Sequence, residues 1–157
     1  MQSLKKFYFG KSKATKFIGS VYAGANKYQG SCLAPNGKIY FAPRDSTRIL
    51  ELDPSTGITT LVGSSYSAGG NKWAGCCLAP NGKIYFIPYS ADQILELDPS
   101  TGTTTLVVSV GNASSKFVGG CLAPNGKIYF APYLSPRVLE FNPITLSYIF
   151  VGSDYGT

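Results

Sequence analysis

Apolar residues along this chain fall in short runs, each fenced by Gly, Pro, Asn, Asp or Ser. The stretch from 75 to 108 is the clearest. Its runs cover 75–79, 83–87, 93–97 and 103–108, and they hold the Ile, Leu, Val, Tyr, Phe and Thr that strands favour. No window keeps the 3.6-residue period of a helix, so the chain is read as all-β. Pro80-Asn81-Gly82 divides the first two runs, and Asn-Gly predicts a type I′ hairpin there with positive φ at both residues. An Asp-Pro-Ser-Thr-Gly segment at 98–102 joins the last two. Proline presets φ, glycine supplies the reversal, and the aspartate bonds the turn backbone.

The same quartet of runs occurs three times. The string CLAPNGKIYF starts at Cys32, Cys77 and Cys121, at spacings of 45 and 44 residues. Behind it, ILELDPSTG from Ile49 and Ile94 is echoed by VLEFNPITL from Val138. Four strands in roughly 40 to 45 residues is the period of a β-propeller blade. There is no Trp-Asp dipeptide and no kelch pairing of glycines. The order CLAP-NGKIYF-AP, a loop, RILELDP and a Thr-rich strand resembles the NHL and YVTN type of propeller repeat over nearly the whole chain. That resemblance implies an architecture, not a particular activity.

Ahead of the first copy, residues 15–19 (TKFIG) match 59–63 (TTLVG), which makes them a fourth strand, and Phe7-Tyr8-Phe9 becomes a third. The expectation is one propeller domain over 1–157, with a half blade at 5–19 and full blades at 30–63, 75–108 and 119–151. A propeller closes with at least four blades, because each sheet buries both faces against neighbours. This chain would therefore leave two apolar flanks open, a larger patch than soluble monomers tolerate. Self-association is expected, with a dimer favoured: fourteen strands per chain make twenty-eight in two copies, the number in a seven-bladed ring. Both leftover hairpins are third-plus-fourth strands, so a six-bladed dimer with hairpins outside, another oligomer, a protein partner or a longer parent chain are the alternatives.

Composition changes this picture in a few places. The net charge of +6 comes from 14 bases against 8 acids, and it is local. Residues 1–27 carry six lysines and no acid, while the rest of the chain has eight bases against eight acids. Lys5, Lys6, Lys11, Lys13 and Lys16 form a candidate anion-binding segment for nucleic acid or another polyanion, a use the NHL family also makes of its propellers. The alternative is a solvated lysine-rich end. No apolar run approaches the roughly 18 to 20 residues of a membrane-spanning helix, and the start lacks the apolar middle of a signal peptide. A soluble, intracellular, cytoplasmic chain with reduced cysteines is expected.

Histidine is absent, which removes the commonest general base and metal ligand. Glu51, Asp53, Glu96, Asp98 and Glu140 sit at equivalent repeat positions and read as strand-edge and turn residues. The expectation is a chain that is not an enzyme, without cofactor or metal. A thiolate site between Cys32, Cys77 and Cys121 is weighed against small-residue packing beside Gly30, Gly75 and Gly120, and packing is preferred. Cys76, the unrepeated thiol, is expected to be the reactive or crosslinking one.

Strand alternation puts the first-to-second and third-to-fourth turns on one face of the disc and the other two loops on the opposite face. Pro-Asn-Gly-Lys on the first face is identical three times. On the second face the loops at 44–47, 89–92 and 133–136 differ freely, as do the crossings at 21–24, 65–69 and 110–113. Divergent loops on a fixed scaffold are where specificity resides, so the second face is the candidate surface for protein binding. One feature recurs there: Lys27-Tyr28, Lys72-Trp73 and Lys116-Phe117 precede the three first strands. Such pairs could stack a sugar in a lectin-like site and hold an anionic group. The competing reading wedges the three rings between blades and leaves the lysines in solvent.

Overall fold

The computed structural model describes residues 17–156. These residues form three separate four-stranded antiparallel sheets, each in simple sequence order. Blade 1 holds β1 (Tyr28–Leu33), β2 (Ile39–Pro43), β3 (Ile49–Asp53) and β4 (Ile58–Val62). Blade 2 holds β5 (Trp73–Leu78), β6 (Ile84–Pro88), β7 (Gln93–Asp98) and β8 (Thr103–Ser109). Blade 3 holds β9 (Phe117–Leu122), β10 (Ile128–Pro132), β11 (Val138–Asn142) and β12 (Ser147–Val151). The sheets meet through their first strands, β1 on β5 and β5 on β9. The half blade expected at 5–19 lies outside the described residues except for 17–19, which are not in a strand.

Each first strand begins two residues before the repeat suggests, at Tyr28, Trp73 or Phe117. A bulge then shifts the register between Tyr28 and Ser31 and between Trp73 and Cys76. Glycine is required inside those bulges. Gly30 and Gly75 have φ of 79° and 95°, and a Cβ on Gly30 would sit 2.7 Å from the Gly75 Cα. A Cβ on Gly75 would sit 2.8 Å from the Gly119 Cα. The inner strands of adjacent blades thus touch backbone to backbone, which only glycine permits.

The Pro-Asn-Gly hairpins differ from the type I′ expectation. Positive φ falls on Gly37, Gly82 and Gly126 but not on the asparagines before them. The Gly37 N–H donates to the Ala34 carbonyl at 3.0 Å and the Ala34 N–H to the Lys38 carbonyl at 2.9 Å, and the same pair recurs at 79–83 and 123–127. This is a three-residue loop, a type I turn followed by a left-handed glycine. Proline decides it by fixing φ near −65° at the first loop position, where type I′ needs the opposite sign. The aspartate turns form as expected: Ser55 N–H donates to Asp53 Oδ1 at 2.8 Å and Ser100 N–H to Asp98 Oδ1 at 2.9 Å.

In the third copy of that turn, Leu146 takes the place of Gly57 and Gly102 and keeps their left-handed geometry, with φ 52°. A left-handed leucine costs about 1–2 kcal/mol, partly offset by its smaller unfolded-state entropy. Leu146→Gly is expected to raise stability by about 0.5–1 kcal/mol, read as a higher urea midpoint at unchanged slope.

The apolar core lies between blades. One cluster joins Ala34, Tyr40, Ala42 and Ile49 of blade 1 to Trp73, Cys76, Ile84, Phe86, Leu95 and Leu97 of blade 2. A second joins Ala79, Tyr85, Ile87 and Ile94 of blade 2 to Phe117, Ile128, Phe130, Leu139 and Phe141 of blade 3. Burial is consequently lopsided in the end blades. Phe86 and Phe130 are fully buried, while their counterpart Phe41 in blade 1 is half-buried. Ala42 and Ile87 are fully buried, while their counterpart Ala131 in blade 3 is exposed.

Candidate functional site

The second face carries a row of side chains at equivalent positions after each second strand: Arg44, Tyr89 and Tyr133. The Arg44 guanidinium donates to Gln29 Oε1 at 2.9 Å and to Asn71 Oδ1 at 2.7 Å, and lies 5.5 Å over the Tyr89 ring. Tyr89 in turn stands 5.5 Å from the Tyr133 ring. Asn71, which precedes Lys72, is held in the left-handed region at φ 48° by its N–H bond to Asp45 Oδ1 at 2.9 Å. The row crosses both blade junctions and ends in exposed Tyr133 and Leu134. Arginine and tyrosine held in place by neighbours offer contact area at low entropic cost, the composition of interface anchors.

The lysine and aromatic pairs sit beneath this row. Trp73 and Phe117 are buried in the junction cores, and the Trp73 indole N–H donates to the Gln93 carbonyl at 3.0 Å. Tyr66 packs edge-on to Trp73 at 5.0 Å. Lys72 and Lys116 are buried too, at 8% and 5% exposure. Their ammonium groups donate to carbonyls, Lys72 to Gly69 at 2.9 Å, and Lys116 to Ala91 at 2.9 Å and Ala113 at 2.6 Å. Burial pulls both pKa values down, opposed by Asp45 and Asp92 respectively. Phe117 is sealed by packed neighbours, whereas Lys72 and Trp73 border a cleft. Lys27 and Tyr28 are half-buried, with the Tyr28 hydroxyl 2.8 Å from Ser46 Oγ, at a cleft of about 400 Å³. A cleft of about 330 Å³ opens beside Tyr66, Ala91 and Gln93 at the second pair. The anion-binding candidates Lys5, Lys6, Lys11, Lys13 and Lys16 lie outside the described residues.

Sequence reasoning missed a network that repeats in every blade. Lys38 and Tyr40 donate to the two carboxylate oxygens of Glu51 at 2.6 and 2.9 Å, and Asn36 donates to the Tyr40 hydroxyl at 2.9 Å. Lys83, Tyr85, Glu96 and Asn81 repeat this in blade 2, and Lys127, Tyr129, Glu140 and Asn125 in blade 3. The signal was present as a tyrosine and a glutamate eleven residues apart in all three copies. Burial first, and then the bond to the glutamate, pushes the Tyr40 and Tyr85 hydroxyls up to about 12 against the opposing pull of the asparagine hydrogen bond. The asparagine also ties adjacent blades: Asn36 Nδ2 donates to the Pro99 carbonyl at 3.1 Å and Asn81 Nδ2 to the Pro143 carbonyl at 3.3 Å.

Three carboxylates, Glu140, Asp53 and Asp98, titrate low. Lys127, with Tyr129, lowers the Glu140 pKa, and the Ser55 and Ser100 hydrogen bonds lower those of Asp53 and Asp98. A carboxylate with a depressed folded pKa stabilises the fold while ionised, and that stability is lost as pH falls through the folded value. The melting temperature should therefore be flat from about pH 7 to 5 and fall below about pH 4 in a thermal scan series.

The expectation for Cys76 is corrected. Its thiol is buried and donates to the Tyr40 carbonyl at 3.6 Å. Contact with the Cys32 thiol, then burial, drives its pKa up. A buried, protonated thiol is a poor nucleophile. Cys121 is the exposed one of the four. Among the described residues, no helix is long and apolar enough to cross a membrane.

No protein family matches the chain in sequence, and no curated protein does either. Solved structures match its fold. Virginiamycin B lyase from Staphylococcus aureus superposes with a TM-score of 0.66 at 16% identity, over 78% of this chain and 40% of the lyase. An auxiliary nutrient binding protein from Bacteroides ovatus gives 0.62 at 19% identity, over 82% and 33%. The calcium-binding protein regucalcin from Agrobacterium tumefaciens gives 0.56 at 16% identity, over 78% and 43%. The chain spans less than half the length of each. The expectation that it is not an enzyme is corrected here: this architecture is shared with lyases, so lacking histidine is no ground for excluding catalysis. At such identities the likeness carries the fold alone, and that fold is a partial β-propeller similar to propellers of the NHL and regucalcin type.

Proposed function

We propose that the chain is a self-associating binding module, whose end flanks, uncovered among the described residues, join it to further copies and whose second face offers the Arg44, Tyr89 and Tyr133 row to a protein partner. The lopsided burial of the end blades carries this reading. Ile39, Phe41 and Leu52 are half-buried in blade 1 although their counterparts in blades 2 and 3 are fully buried. An apolar strip left uncovered among the described residues on each outer flank favours association. Native mass spectrometry with light scattering tests the reading: a mass of two or more chains is expected, and a single-chain mass across micromolar concentrations would overturn it.

A further inference from the structure

We infer that the flank of blade 3 is a docking surface for the flank of blade 1 of a second copy, both uncovered among the described residues, joined head to tail in the geometry of the two junctions inside the chain. The inference rests on the self-association proposed above. Three contacts define an internal junction, and blade 3 presents one half of each with nothing opposite among the described residues.

The first is the glycine ladder. Gly30 approaches Gly75 and Gly75 approaches Gly119, but a Cβ built on Gly119 meets nothing within 4 Å. Its place in the series calls for another Gly30. The second is the asparagine tie. Asn36 reaches the Pro99 carbonyl and Asn81 the Pro143 carbonyl, whereas exposed Asn125 bonds only the Tyr129 hydroxyl and the Lys127 N–H. The matching turn in a second copy is that of Pro54, exposed in blade 1.

The third is the thiol row. Cys32 touches Cys76 of the next blade, and Cys77 donates to the Gly120 carbonyl at 3.7 Å. Cys121 is exposed, and the residue it would face is Ser31, exposed on β1. Burial agrees with this pairing: each half-buried position on the outer side of blade 1 has a fully buried counterpart where that side meets a blade. A head-to-tail contact pairs two different surfaces, so it extends until the ring closes, whereas a two-fold contact would set like against like.

The test uses Ser31→Cys, mixed as ¹⁴N and ¹⁵N protein and treated with a short bis-maleimide. Interchain peptides linking positions 31 and 121 are expected, and wild type yields none at position 31. A multimeric mass with only 31–31 or 121–121 interchain links would overturn the junction and leave self-association standing. A single-chain mass would remove both. Cys121→Arg places a charge on the docking flank at an exposed site, and is expected to give a single-chain mass with an unchanged circular dichroism spectrum. An unchanged multimer in that variant would overturn the inference.

Discussion

Gly75→Val is expected to lower the stability of the chain by about 2–5 kcal/mol, read as a much lower urea midpoint. Two costs combine. Gly75 holds φ at 95°, where an L side chain costs about 1–2 kcal/mol, more when β-branched. Its new Cβ would also stand 2.8 Å from the Gly119 Cα and 3.3 Å from the Gly119 nitrogen. Both are backbone atoms of the neighbouring blade, so no rotamer change relieves the clash, and overpacking adds about 1–3 kcal/mol. A total of about 2–5 kcal/mol is a large part of the 5–15 kcal/mol typical of a domain. Gly82→Val is the control, with φ 79° and open space around its Cβ. It should cost about 1–2 kcal/mol, so the difference between the two urea midpoints isolates the backbone contact between blades 2 and 3. Equal losses would mean that the blades can move apart at little cost.

Trp73→Ala is expected to cost about 3–5 kcal/mol, the range for emptying a large aromatic site in a core. Trp73 is 3% exposed, packs against Tyr66, and joins the cluster between blades 1 and 2. The Trp73→Phe variant should lose much less, about 1–2 kcal/mol, because blade 3 uses Phe117 at the same place and only the bond to the Gln93 carbonyl goes missing. Denaturant unfolding followed by circular dichroism reads both variants. It must replace fluorescence, since Trp73 is the one tryptophan in the chain. A Trp73→Ala variant as stable as wild type would return the ring to consideration as a ligand contact.

Strand number, blade period and the aspartate turns were legible because local chemistry fixes them. A repeat of 44 to 45 residues with Pro-Asn-Gly and Asp-Pro-Ser-Thr-Gly between apolar runs has few other solutions. The hairpin type departs from what Asn-Gly alone implies because the proline before it starts a three-residue loop with only the glycine at positive φ. The roles of Lys116 and Cys76 are less visible, since their partners lie in the neighbouring blade, 25 and 36 residues away in sequence. Burial of the end blades was least legible as a pattern of residues. Phe41, Phe86 and Phe130 stand in nearly identical strings, IYFAP, IYFIP and IYFAP, yet one is half-buried and two are sealed. Position within the stack decides this, not identity.

Because the apolar clusters sit between blades, cohesion here is a property of boundaries rather than of units. A protein built this way can be lengthened by duplicating one whole period: the insertion creates one more boundary of a kind already present and alters neither terminus. Genetic expansion or contraction in steps of about 45 residues should therefore be tolerated where deletions of half that size are not.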